Sequence, residues 1–142
     1  MRGTSSGRCF CGKTVFSIEL PEQLEKYSPR ECDCDFCTRR NISYLSHPGG
    51  VLDIECSEPF EVIQQGSNQA MFLSCAGCGT VVAAAHQLDG SLKGAINAGL
   101  LDEFERLQEP IIVSPRLLDP EEKLARWESI WSSMRVNGQN RI

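Results

Sequence analysis

The chain has 142 residues, 41% hydrophobic and 23% charged, with a formal net charge of −5. Length and composition suit one globular domain with its own core, and the acidic balance excludes binding nucleic acid by displacing phosphate counterions. No apolar run approaches the ~20 residues of a membrane span, and Met1 to Gly7 lacks the apolar segment of a secretory signal, so a cytoplasmic address is expected.

In chain order, Thr14 to Leu20 alternates as a strand around Val15, with Pro21 ending it. Leu24 to Glu31 reads as a short extended segment leading to Cys32. A strand is expected within Asn41–Ser46, followed by a turn at His47-Pro48-Gly49-Gly50 and a strand at Val51–Cys56. Phe60–Gln65 and Gln69–Ser74 read as a hairpin closed by Gly66-Ser67-Asn68. Thr80–His86 is rich in small residues and fits a strand buried on both faces. Asp89-Gly90 is a turn signal, with Ser91–Asn97 as the returning strand. Ile111-Ile112-Val113 is a last apolar patch.

Asp119-Pro120-Glu121-Glu122 then carries an N-cap, a proline at the first helical position and a glutamate at the third, which predicts a helix over about 119–135. Leu124, Trp127, Trp131 and Met134 would form its apolar face, docked on the sheet or open to a partner protein or a second copy in a homo-oligomer. The tail from Asn137 to Ile142 is polar and expected to fray. The fold class is therefore mainly β with a C-terminal α-helix, in one domain spanning 1–142 whose core covers about 7–115.

The chemistry lies in the eight cysteines. Seven of them cluster as Cys9-Phe10-Cys11, Cys32-Asp33-Cys34-Asp35-Phe36-Cys37 and Cys75-Ala76-Gly77-Cys78. In a reducing compartment such clusters are metal ligands or catalytic groups more often than disulfides, and pairs this close in sequence bridge poorly to each other. Zinc takes four thiolates in a tetrahedron. Two pairs fill one such site, so Cys9, Cys11, Cys75 and Cys78 are assigned to a closed structural zinc, with Gly12, Gly77 and Gly79 letting the backbone turn around sulfur. Cys32, Cys34 and Cys37 remain as a three-cysteine site. Either it keeps an open position, as catalytic zinc sites do, or Cys56, His47 or His86 closes it. Cys56 by itself fits a half-buried thiol at a strand end, and the two histidines fit structural or surface positions. Arg39 and Arg40 either form a solvated charge pair, or one of them binds a substrate carboxylate or counters thiolate charge.

These clusters resemble the glutathione-dependent formaldehyde-activating enzyme family, whose domain also occurs in centromere protein V. The resemblance rests on Gly7-Arg8-Cys9-Phe10-Cys11-Gly12, on Cys32 to Cys37 with Arg39-Arg40, and on Cys75-Ala76-Gly77-Cys78-Gly79-Thr80. Ile96-Asn97-Ala98-Gly99-Leu100-Leu101-Asp102 looks like the family's stretch after the last metal pair. The resemblance implies an Mss4-like fold of zinc-clipped β-sheets and a carbon–sulfur lyase that joins glutathione to formaldehyde. It also implies the same metal partition, with a substrate thiol meeting Cys32, Cys34 and Cys37. Asp33 and Asp35, and the helix bearing Trp127 and Trp131, depart from the family pattern. The alternative function is a zinc-binding interaction module without catalysis. A redox or metal-transfer role for the same thiols ranks third and predicts zinc release on oxidation.

Overall fold

A computed structural model describes residues 3–64, 70–88, 91–114 and 117–140. The expected turns at Gly66-Ser67-Asn68 and Asp89-Gly90 lie outside the described residues. Eleven strands form one sheet: β1 (Gly3–Arg8), β2 (Thr14–Leu20), β3 (Arg30–Cys32), β4 (Ser43–Leu45), β5 (Val51–Cys56), β6 (Glu61–Gln64), β7 (Met71–Ser74), β8 (Val81–Leu88), β9 (Ser91–Asn97), β10 (Ile111–Val113) and β11 (Ser132–Val136). Among the described residues two α-helices accompany it, α1 (Asp35–Arg40) and α2 (Pro120–Ile130). The fold is mainly β, as the sequence predicts.

The main path of the sheet runs β1-β2-β5-β11-β9-β4-β3-β10, and β8, β7 and β6 branch from the other edge of β9. Strand β9 is thus the hub. Gly94 at its centre passes so close to Ala84 O and Met134 Cε that an added Cβ would collide with both.

The alternation in β2 buries Thr14, Phe16, Ile18 and Leu20, which leaves Val15 on the exposed face. Five consecutive residues of β8, Val81 to Ala85, are buried, as a strand covered on both sides must be. They separate two cores. Phe16, Ile18, Leu52, Ile54, Leu73, Ile96 and Met134 build the larger, which also takes in Cys9 and Cys75. The smaller gathers Phe36, Tyr44, Trp127 and Trp131, and the three-cysteine cluster belongs to it.

The end of the chain departs from expectation. The capping box is present, with Glu122 N donating to Asp119 Oδ1 at 2.8 Å and Asp119 N to Glu122 Oε1 at 3.1 Å. The helix nevertheless stops at Ile130 rather than near 135, and Ser132–Val136 is a strand parallel to β5. Met134 fits both the helical spacing from Trp127 and a two-residue alternation with Ser132 and Val136. Burial of all three shows that the alternation wins. Because β11 sits between β5 and β9, the core does not end near 115. Nor does the tail fray at once: Asn137 N donates to Ile54 O at 2.8 Å, Cys56 N donates to Asn137 Oδ1 at 3.0 Å, and Gln87 Nε2 reaches Asn140 O at 3.1 Å.

Candidate metal centres and the adjoining cavity

Two knuckles of the same design present the first cluster. Cys9 N donates to Thr14 O at 3.1 Å and Cys75 N to Thr80 O at 2.8 Å, each closing a six-residue turn. Gly12 and Gly79 close them at φ 79° and 74°, the left-handed region that glycine enters without strain. Gly77 contributes differently: a Cβ there would lie 3.1 Å from Cys11 Sγ.

The knuckles bring four sulfurs together across 66 residues of chain. Cys9 Sγ lies 3.5 Å from Cys11 Sγ and 3.6 Å from Cys75 Sγ, with Cys11 and Cys75 also 3.6 Å apart. A disulfide needs ~2.05 Å, whereas a tetrahedron of ~2.3 Å metal–sulfur bonds has edges near ~3.8 Å. The donor set fits a metal ion and not a bridge, and all eight cysteines are free. Cys78 and Cys11 are shifted in opposite directions. Cys78 is held down to about 5: burial pushes it up, but hydrogen bonds with Thr80 and Cys11 outweigh it. Cys11, although helped by the Lys13 backbone, is pushed up to about 12 by burial and its three neighbours. Thiolates this close cannot all ionise unless a cation joins them.

The second cluster straddles the start of α1. Cys32 ends β3, Cys34 caps the helix by accepting from Cys37 N at 3.5 Å, and Cys37 lies one turn in. Sequence reading did not find α1. Its signal is a cysteine in the N-cap position, where serine or aspartate is the familiar cap. The three sulfurs lie within 4.8 Å of one another, a second group able to hold a metal ion. Hydrogen bonding with Cys37 brings Cys32 down to about 6 against the opposing effect of burial. The Cys37 thiol is pushed up by the same bond and by burial, and burial raises Cys34.

Among the described residues no fourth ligand joins this group. Cys56 sits half-buried at the end of β5 with Asn137 Nδ2 3.6 Å from its sulfur. His47 Nδ1 accepts from Gly49 N at 2.9 Å, and the His86 ring packs 5.5 Å from Trp127.

Beside Cys32 and Cys37 opens a cavity of about 90 Å³. Its walls include Tyr44, Phe72, Trp127 and Trp131, with the two indoles stacked at 4.8 Å and 10°. Tyr44 Oη is 3.8 Å from Cys37 Sγ, and burial together with the Cys37 charge raises its pKa. Arg30 and Arg126 line the same cavity. Burial pulls both guanidinium pKa values down.

The arginines singled out in the sequence sit elsewhere. Arg40 lies 3.9 Å over the Phe36 ring, donates to Phe36 O at 3.1 Å and lines a groove with Phe10 and Gly79. Arg39 is exposed on α1. Asp33 accepts from Ser114 Oγ at 2.6 Å, and its charge opposes ionisation of Cys32. Sequence spacing held a clue to Arg30: two residues before Cys32, it shares one face of a strand with it. It held none to Arg126.

Comparison with known proteins bears on the fold alone. No protein-family model and no curated protein matches the chain. A crystal structure of a Rhodobacter sphaeroides protein, a structural-genomics target, superposes with a TM-score of 0.57 at 22% identity, covering 76% of this chain and 99% of that one. The two share a fold. Among the described residues, no helix is long and apolar enough to cross a membrane.

Proposed function

We propose that the protein is a zinc-dependent carbon–sulfur lyase of the formaldehyde-activating type. It would add a thiol, glutathione by the sequence resemblance, to formaldehyde or another small aldehyde. The observation that carries this reading is an asymmetry: four sulfurs complete one tetrahedral set, while three sulfurs, of which Cys32 and Cys37 line a cavity, have no fourth partner among the described residues.

Cys9, Cys11, Cys75 and Cys78 would hold a structural zinc, and Cys32, Cys34 and Cys37 a second. A zinc ion at the three cysteines would supply the positive charge that lets an incoming thiol ionise near neutral pH. In the reaction the thiol sulfur bonds the aldehyde carbon, the carbonyl π bond opens, and the thiol proton ends on the new hydroxyl. The chain's residues serve that step by position. Trp127, Trp131 and Phe72 give the cavity apolar walls that limit competing water, and Tyr44 presents a hydroxyl toward Cys37 that can hydrogen-bond the oxygen as it gains charge. Exchange NMR of glutathione with formaldehyde is the test. Metal-replete protein should accelerate adduct formation and Cys34→Ser should not; no acceleration at any protein concentration refutes the reading.

A second reading, a binding module without catalysis, draws on β10. Ile111 and Ile112 lie 56% and 72% exposed on this edge strand, as a protein-docking edge would be. The helix face proposed from sequence is less suited to docking, since Trp127 and Trp131 are buried within the chain itself.

A further inference from the structure

We infer that the cavity beside the three cysteines is a subsite for a small organic carboxylate, bound between the guanidinium groups of Arg30 and Arg126. The position of the two arginines argues for it. Arg30 and Cys32 alternate onto one face of β3, and Arg126 comes from α2 directly before Trp127. Both half-buried cations line one small cavity with largely apolar walls. Arg126 is close enough for its charge to act on Arg30.

Neither has a carboxylate partner among the described residues. Arg30 donates to Ser46 Oγ, and Ser46 Oγ donates in turn to Ile130 O at 2.7 Å, which steers the guanidinium toward the end of α2. That contact uses only part of the five-donor fork. Asp33 has its Oδ2 on Ser114 and does not line the cavity. The Cys32 thiolate attracts Arg126, and a divalent metal ion held by three thiolates would leave one net negative charge there, enough to balance one of the two cations. Two half-buried cations with one negative charge between them leave a cation to balance, and a carboxylate bridging them satisfies both with charge-assisted hydrogen bonds.

Size narrows the ligand further. A volume of about 90 Å³ suits a small acid whole, whereas a tripeptide would have to leave most of its length outside. Formaldehyde would leave both guanidinium groups unused. Resting on the reading of Cys32, Cys34 and Cys37 as the reaction centre, the inference makes one reactant a small acid, either an oxo acid as carbonyl partner or a mercapto acid as thiol partner.

Both tryptophans of the chain line the cavity, so intrinsic fluorescence reports its occupancy. Metal-replete protein titrated with isobutyrate should show a saturable change, at least tenfold weaker with the isosteric isobutyramide. Arg126→Gln should weaken isobutyrate tenfold or more and leave the amide unaffected; Arg30→Gln, more deeply placed, should do the same where it folds. Glyoxylate and mercaptoacetate, compared as co-substrates, show which reactant carries the acid. Equal affinity for acid and amide, or unchanged isobutyrate binding in Arg126→Gln, overturns the inference. These readouts need no turnover. Carboxylate binding without adduct formation would refute the lyase reading and keep the subsite, whereas formaldehyde turnover indifferent to Arg126→Gln, with no preference for acids, would refute the subsite alone.

Discussion

Cys9, Cys11, Cys75 and Cys78 are presented by two backbone knuckles joined to the larger core, with Cys9 and Cys75 almost fully buried. Cys32, Cys34 and Cys37 are presented by a strand end and a six-residue helix in the smaller core, beside a cavity walled by tryptophans and two arginines. The ligand atom is the same in both. What differs is whether the described residues supply a fourth ligand, and the proposed division into a structural clip and a reaction site rests on that difference.

The largest effect should come from breaking the clip. Cys75→Ser leaves three ligands in the larger core, and a structural zinc contributes on the order of 10 kcal/mol of folding free energy, comparable to a whole domain's stability. The variant should lose cooperative thermal unfolding by circular dichroism. Cys34→Ser should keep a folded sheet and lose only the second metal.

A smaller effect tests the other core. Trp127→Ala removes one half of the indole stack and should cost about 3–5 kcal/mol. Chemical denaturation measures the loss. The four-cysteine metal should stay bound while alkylation of Cys32 and Cys37 speeds up.

Much of this contrast was legible in the sequence. The cysteine spacings and the following glycines announce two knuckles, since Gly12 and Gly79 mark where the backbone must turn left-handed. Strands β5, β8 and β9 follow from period and turn signals. The end of α2 was misread because Met134 satisfies a helical and an extended period at once, and only the gap between β5 and β9 decides which applies. Strand β1 is polar and glycine-rich, and it forms because β2 offers it an edge. The choice of arginines was also a tertiary matter. Arg39 and Arg40 adjoin the cysteines in sequence, but α1 carries Arg40 over Phe36, while Arg126 arrives from a helix 89 residues beyond Cys37.

Tyr44→Phe gives a finer comparison. It removes a hydroxyl 3.8 Å from Cys37 Sγ at little cost in stability, under about 1.5 kcal/mol. Thiol-modification kinetics should change at Cys32, Cys34 and Cys37 and stay the same at the four-cysteine cluster.

The smallest effect serves as a control outside both centres. Arg106 bonds Glu25 at 2.8 Å and holds that carboxyl below its ordinary range. A depressed folded pKa adds stability above the unfolded value, and that stability is lost as pH falls through the folded one. Arg106→Ala should therefore produce a slight destabilisation at neutral pH that vanishes in acid. Thermal melts across that range would show it, and neither metal should be affected.

Metal counting by native mass spectrometry, with cysteine alkylation read during mild chelation, tests the central contrast most directly. Two zinc ions per chain are predicted. The first to leave should expose Cys32, Cys34 and Cys37 to alkylation while Cys9, Cys11, Cys75 and Cys78 stay protected and the protein stays folded. Simultaneous loss of both ions with exposure of all seven cysteines, or a single ion with Cys32, Cys34 and Cys37 open from the start, would contradict it.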